Sequence, residues 1–477
     1  MNIHNQLLTN TCCFALFLGL VFFSCTQKTS NTQIVNRIES WITTGDQSLL
    51  FEKSAKLAGF GDTHADLPVI EIDTAQKFQS IDGFGFTLTG GSAYLLHEKL
   101  TESSRLELLE ELFSTGNSGI GVSYLRLSIG ASDLDDHVFS YNDLPPGQVD
   151  PELSHFTLKE DRKHLIPILK EILSVNPKIK LMGSPWSAPA WMKNNESTKG
   201  GSLKKEFYGA YANYLVKYVQ EMAKEGIAIE AITVQNEPEN PHNNPSMLMT
   251  ASEQGEFIKS HLGPAFVQNA IKTKIIIFDH NCDHPEYPIA ILDDPEAKKY
   301  IDGSAFHLYL GEITALSDVQ KAHPDKNIYF TEQWTSSEGQ FDGDLRWHVK
   351  NLIVGATRNW SRTVLEWNLA ADPQQNPHTD DGGCTQCLGG LTIGDSITRN
   401  VSYFVIAHAS KFVRPGSVRI ASTYVEELPN VAFTTPEDQR ILIVLNDSNE
   451  TKEFNIRFAG RDATVSLSSG SVGTFVW

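Results

Sequence analysis

The chain has 477 residues, 40% of them hydrophobic and 20% charged, which is ample material for a buried core. Its formal net charge of -19 argues against nucleic acid or an anionic membrane surface as a partner. A neutral substrate suits that field, and a chain this long divides into two or three domains unless a barrel absorbs most of it.

Residues 1–25 read as a targeting segment. The apolar run from Thr11 to Phe23 has signal-peptide length and is too short to span a membrane. It ends in Ser24-Cys25, followed at once by polar residues. A small residue before a cysteine at this point resembles a bacterial lipoprotein processing site, which leaves Cys25 as the lipidated first residue. A plain cleaved signal is the other reading. Either way the expected location is outside the cytoplasm, periplasmic or at the cell surface. The lipid-anchored form is an outer-membrane lipoprotein of a Gram-negative bacterium, touching membrane only through its anchor.

Of six cysteines, Cys12 and Cys13 leave with the signal, and Cys282, Cys384 and Cys387 remain beside Cys25. The pair Cys384-Thr385-Gln386-Cys387 lacks the strand–helix setting of a redox motif and the nearby ligands that zinc needs. In an exported protein a loop-stiffening disulfide is the expected outcome. Cys282 is then a free, buried thiol.

Residues 26–80 are turn-rich, with strand-like pieces such as Pro68 to Ile72, and are expected to lend strands to a second domain. The body at 81–416 carries eight apolar runs: Ile81 to Thr89, Val122 to Gly130, Ile179 to Trp186, Ile229 to Glu237, Lys274 to Asp279, Ser304 to Tyr309, Asn327 to Gln333 and Arg362 to Asn368. Helical patterns lie between them, clearest at Leu106 to Phe113 and Tyr211 to Ala223. Strands alternating with helices predict a parallel sheet, and eight repeats predict a closed (β/α)8 TIM barrel, an α/β fold. From 417 to 477 short strands separated by turns predict an appended antiparallel β-sandwich.

In such a barrel, chemistry gathers at the carboxyl ends of the strands. Ala231-Ile232-Thr233-Val234 stops abruptly at Gln235-Asn236-Glu237-Pro238, and Pro238 cannot continue a strand ladder. Asn327 to Thr331 stops in the same way at Glu332-Gln333-Trp334. Two strand-end glutamates on one barrel face suit retaining glycoside hydrolysis, with Glu237 as proton donor and Glu332 as nucleophile. Other strand ends supply Arg126, Trp186, Asn236, His307, Tyr309, Trp334 and Trp367. Aromatic faces for sugar C–H groups and polar side chains for hydroxyls make a carbohydrate pocket.

These segments resemble glycoside hydrolase family 30, whose best-known member type is glucosylceramidase. The matching stretches are Gly83-Phe84-Gly85, Tyr124-Leu125-Arg126, Ser184 to Pro189, Gln235 to Pro238, His307-Leu308-Tyr309, Phe330-Thr331-Glu332 and Glu366 to Ala370. Ser410-Lys411-Phe412 and Asn430 to Phe433 extend the likeness into the second domain. The resemblance implies Glu237 as acid/base and Glu332 as nucleophile, with Arg126, Trp186, Asn236, Tyr309 and Trp367 lining the sugar subsite. One departure stands out: the glucosylceramidase pattern has Thr-Asp where this chain reads Thr89-Gly90, so one hydroxyl contact is expected to be missing or supplied elsewhere. That departure and the Cys384–Cys387 loop look closer to the family's microbial β-1,6-glucanases. A retaining endo-β-1,6-glucanase is therefore the expected activity. Glucosylceramidase, an exo-β-glucosidase or a β-xylosidase are the alternatives, and a non-catalytic carbohydrate-binding lipoprotein is the rival from another class.

The chemistry requires no metal and no cofactor. A metal-dependent hydrolase would need His and Asp clusters at the strand ends. The carboxyl groups of Glu237 and Glu332 are expected about 5–5.5 Å apart. Glu237 is expected to be protonated near neutrality, its pKa raised by Glu332, while Arg126 keeps Glu332 ionised and Asn236 meets the 2-hydroxyl.

Overall fold

The computed structural model describes residues 37–61, 66–116 and 118–477. The targeting segment and Cys25 lie outside these residues. Eight parallel strands close into a barrel: β1 (Gly83–Leu88), β2 (Tyr124–Ile129), β3 (Lys180–Pro185), β4 (Ala231–Thr233), β5 (Lys274–Cys282), β6 (Ile301–Gly311), β7 (Asn327–Glu332) and β8 (Ser361–Asn368). Each pairs with its neighbour in chain order, and β8 returns to β1 through pairs such as Val364 with Phe84. Each lies within or overlaps one of the eight apolar runs.

β4 is much shorter than its run. It leaves the ladder after Thr233, and Glu237 takes a left-handed backbone with φ of 45°. Its amide donors bond elsewhere: Asn236 N–H to the Pro185 carbonyl at 2.8 Å and Glu237 N–H to the Asp279 carbonyl at 3.0 Å. The chain is thus held between β3 and β5 without continuing a strand, and the strain sits at the functional residue.

The barrel interior is filled in layers, because every second strand residue points inward. One layer contains Tyr124, Met182, Ala231, Ile276, Ala305, Tyr329 and Leu365. Two residues further along their strands come Arg126, Ser184, Thr233, His307, Thr331 and Trp367, so the apolar plug gives way to polar groups within one layer. β5 breaks this period. Phe278 and Asp279 both have positive φ, 70° and 67°, and the pairing with β6 shifts there. The extra residue leaves Ile277 and Phe278 both in the outer core and turns Asp279 inward.

Helices cover the outside. Glu102–Phe113 starts at Thr101, whose hydroxyl accepts from the Ser104 amide and caps the first turn. Tyr208–Lys224 buries Tyr211, Tyr214, Leu215, Tyr218 and Met222, the helical stripe expected from the sequence.

The second domain draws on both ends of the chain. Arg37–Thr43 pairs with Val472–Val476, and Val69–Ser80 pairs with Val418–Ser422. The sheet is not purely antiparallel as expected from the sequence. The twelve-residue strand Val69–Ser80 is antiparallel to Val418–Ser422, yet Val69 to Glu71 run parallel to Asn455 to Arg457. In Arg440–Leu445, Ile441, Ile443 and Leu445 join the barrel's core, and Leu442 and Val444 fill the sandwich interior. Burial on both faces explains an unbroken apolar run where alternation would otherwise appear. Each such side chain contributes about 1.5–3 kcal/mol of transfer free energy.

Candidate active site

The floor of the site is a single buried carboxylate. Asp279 Oδ2 accepts from Arg126 Nη2 at 2.8 Å, Ser184 Oγ at 2.7 Å and Thr233 Oγ1 at 2.7 Å. Its Oδ1 accepts from Thr331 Oγ1 at 2.6 Å and His307 Nε2 at 3.1 Å. Five barrel elements converge on it, which the bulge in β5 makes possible. Burial pushes its pKa up, but Arg126 and the His307 and Thr331 donors hold it well below the carboxylate range.

Arg126 carries this order upward. Its Nη1 donates to Glu332 Oε2 at 2.6 Å, and its Nη2 also donates to Asn236 Oδ1 at 2.6 Å. The guanidinium lies 4.7 Å from the Trp186 ring centre and 5.8 Å from that of Trp367. Arg126 thus anchors the tryptophan wall as well as Glu332. Tyr309 Oη donates to the other Glu332 oxygen at 2.9 Å. Both Glu332 oxygens are thereby aimed.

Glu237 faces Glu332, with oxygens of the two carboxyl groups within 4.8 Å of one another. His307 sits between them, its Nδ1 3.2 Å from Glu237 Oε1 and 3.7 Å from Glu332 Oε1. Asn240 Nδ2 donates to Glu237 Oε2 at 2.7 Å.

The charges differ from the sequence-based expectation. Burial raises the pKa of Glu237, but the His307 contact, His280 and Asn240 outweigh it and bring the carboxyl down to about 2. Burial lowers His307, but the Glu332 charge and the Asp279 and Glu237 acceptors raise it to about 9. Glu332 is raised, first by its burial and also by Glu237 and Asp279, against the pull of His307 and Arg126. Near neutrality the exchangeable proton therefore rests on His307 and not on Glu237. The expectation omitted the imidazole, a closer and stronger influence on Glu237 than Glu332 is. Arg126 opposes the rise at Glu332 without cancelling it.

Above this floor opens a cavity of about 560 Å³. Glu237, Glu332, Tyr309, Trp334 and Trp367 line it, as the sequence suggested. Arg126 and His307 do not: both are 0% exposed and act through the carboxylates they bind. Trp186 and Asn236 are buried just behind the wall, with Trp186 stacked at a tilt 5.4 Å from Trp367.

The cysteines form a wall of the same cavity. Cys384 and Cys387 are joined by a disulfide that packs against Leu134, Trp186, Trp334 and Trp367. Ser336 pairs with Cys387 in a short ladder, tying this loop to the segment just after Glu332. Gly383 is needed for the close approach, since a Cβ there would meet the Thr379 carbonyl at 2.4 Å and that of Asp133 at 2.9 Å. Cys282 is a free thiol and buried.

Several functional side chains were not singled out in the sequence. Asp279 closes an apolar run and could have been found as a charge at a strand end. Asp133 lies in the loop after β2 and lines the cavity, with the Cys384 amide on its carboxyl. Its burial, together with Glu332 and Glu237, raises its pKa to about 8, so it is a neutral hydrogen-bond donor near pH 7. Gly90 is not among the residues that line this cavity. A Cβ at Gly90 would meet the Asp135 carboxylate at 1.7 Å. The cavity keeps a carboxyl group, supplied by Asp133.

Known proteins place this architecture. Residues 81–413 match the glycosyl hydrolase family 30 TIM-barrel domain, and 416–475 match the family's β-sandwich domain. The endo-1,6-β-D-glucanase BGN16.3 of Trichoderma harzianum is 31% identical over 429 residues, covering 85% of each chain. The lysosomal acid glucosylceramidase of Mus musculus is 28% identical over 439 residues, 86% of this chain and 83% of that one. A solved structure, the endo-β1,6-glucanase BT3312, superposes with a TM-score of 0.85 at 32% identity, covering 92% of this chain and 99% of that one. With both domains matched in order and a paired-carboxylate cavity at the barrel mouth, the chain belongs to glycoside hydrolase family 30.

Proposed function

We propose that this family 30 enzyme cleaves β-1,6-glucan within the chain, with retention of configuration, through Glu332 as nucleophile and Glu237 as acid/base. The carrying observation is that an oxygen of Glu237 and an oxygen of Glu332 lie within 4.8 Å of each other. Retaining enzymes hold the two carboxyl groups about 5–5.5 Å apart and inverting ones about 6.5–9.5 Å. Glu332 attacks the anomeric carbon as the glycosidic C–O bond breaks, and the pair's proton passes from His307 Nδ1 to Glu237 and on to the leaving oxygen. Water then attacks the glycosyl ester, its proton returns to the Glu237–His307 pair, and the Glu332 carboxylate is released. Trp367 and Trp334 offer faces to the sugar rings, and neutral Asp133 donates to a hydroxyl.

The substrate reading rests on relatives and on the rim. Endo-1,6-β-D-glucanases from three fungi are 31–33% identical to this chain. The rim carries Glu239, His242, Asn243, Asp283 and His284, with Leu310 its one strongly exposed large apolar side chain among the described residues. A polar rim suits a glucan better than the acyl chains of a glycolipid. Incubation with β-1,6-glucan is expected to release a ladder of short oligosaccharides. Glucose alone would contradict internal cleavage, and turnover of glucosylceramide but not of glucan would replace the substrate.

The charge pattern sets a pH dependence. Activity needs Glu332 as carboxylate and one proton on the Glu237–His307 pair. The acid limb therefore lies above the ordinary glutamate value of 4.5, and the alkaline limb falls near 9, where His307 deprotonates. In His307→Asn the cation that depresses Glu237 is gone, so Glu237 holds its own proton but loses it below pH 9. The alkaline limb of kcat/KM should move toward acid. An unmoved limb would remove His307 from the proton inventory.

We further propose export with a lipid on Cys25, supported by the Ser24-Cys25 junction after the apolar run and by the disulfide, which persists in oxidising compartments. The mass of the amino-terminal peptide of the mature protein tests it. A thioether-lipidated Cys25 is expected, and an unmodified terminus would leave a plain cleaved signal.

A further inference from the structure

Away from the cavity, three electron-rich atoms from two segments point at one spot. His97 and Glu98 lie in the turn Leu95–Lys99 that follows β1, and His164 directly precedes the helix Leu165–Val175. His97 Nδ1 is 3.0 Å from His164 Nδ1. Glu98 Oε1 is 3.4 Å from the first and 3.5 Å from the second. A zinc ion with nitrogen and oxygen ligands at about 2.0–2.1 Å holds neighbouring donors about 3.3–3.4 Å apart in a tetrahedron. The two edges to Glu98 come close to those of a tetrahedral face, and the 3.0 Å edge between the imidazoles is shorter, so the rings part slightly on taking up an ion.

A shared proton explains less. It can occupy the short edge between the two imidazoles. It leaves Glu98 Oε1 beyond normal hydrogen-bond length from both nitrogens, although all three atoms face each other. The ligands are also oriented from behind. Tyr94 meets the His164 ring edge-on at 5.3 Å, and Arg105 Nη1 donates to the His97 carbonyl. The wider π-type turn at Leu95–Lys99 presents adjacent residues to the same point, a recurrent use of such turns at binding sites. Side-chain exposures of 28–29% for the histidines and 48% for Glu98 leave a fourth position for water.

We propose that His97, Glu98 and His164 bind a divalent transition-metal ion of zinc type. The ion staples the segment after the first barrel strand to the helix after the second. It lies apart from Glu237 and Glu332 and takes no part in glycoside cleavage.

The test uses untagged mature protein stripped by chelator and titrated with zinc chloride, beside His97→Ala/His164→Ala. Calorimetry should find one more zinc equivalent in the wild type than in the double variant. Zinc should also raise the wild-type melting temperature by several degrees more than that of the variant. Cobalt(II) should give the intense visible bands of four-coordination only in the wild type. Any zinc held by Glu237, His307 and Glu332 appears equally in both proteins and cancels. Equal stoichiometry in the two proteins, or no zinc bound by the wild type, would overturn the site.

Discussion

Glu332→Gln is expected to lower kcat on β-1,6-glucan by about 10⁴-fold or more, with substrate affinity kept. Losses of this order follow when a member of a catalytic unit is removed. The amide has the shape of the carboxylate but cannot displace the glycosidic oxygen. Its orientation follows from the two donors now present. Arg126 Nη1 can only donate, so the amide oxygen takes its place 2.6 Å away, and the amide NH2 turns to Tyr309 Oη, whose hydroxyl can reverse and accept. The site therefore stays assembled, and binding of a glucan oligosaccharide by calorimetry should be little changed. A variant that keeps a tenth of wild-type kcat would show that another group attacks.

Asp279→Ala is expected to destabilise the fold by about 3–5 kcal/mol, the cost of removing one partner from a buried ion pair. The loss is not of one contact. Arg126 and His307 keep their charges in a space with no exposure, and the hydroxyls of Ser184, Thr233 and Thr331 lose their acceptor. Asp279→Asn should cost less, because the amide oxygen still accepts from Arg126 while its NH2 faces donors on the other side. Chemical denaturation of the two variants measures the difference. Activity should fall in both: Asp279→Ala removes the anchor from which Arg126 aims Glu332, and in Asp279→Asn the amide NH2 cannot accept from His307, which lies between the two glutamates. Wild-type stability in Asp279→Ala would mean that the floor is solvated and not the closed network described.

Strand ends were legible because apolar runs stop where the barrel's carboxyl face begins. Glu237 and Glu332 could be read that way, each terminating its run. The same rule applied to β5 would have marked Asp279, but its inward turn depends on positive φ at Phe278 and Asp279, and neither is a glycine that would signal it. β4 was read too long for a related reason: tertiary hydrogen bonds at Asn236 and Glu237, not local preference, end the strand. Asp133 sits in a loop without periodicity, and only its burial beside the Cys384–Cys387 wall reveals it. At Gly90 the Asp135 carboxylate fills the space a side chain would need, and the carboxyl group that lines the cavity comes from Asp133. Charge was the least legible property. The proton on His307 arises from three carboxylates brought together from the segment after β4, from β5 and from β7, and no spacing in the chain announces that meeting.

The central claim is a covalent intermediate on one named oxygen-bearing side chain. A 2-deoxy-2-fluoro-β-glucoside with a good leaving group slows the second step and lets the glycosyl-enzyme accumulate. Digestion and mass spectrometry of the inactivated protein then locate the sugar. The expected result is one fluoroglucosyl group per chain, on the peptide containing Glu332, and none on Glu332→Gln. A label on Glu237, or full turnover of β-1,6-glucan with inversion and no label, would contradict the account.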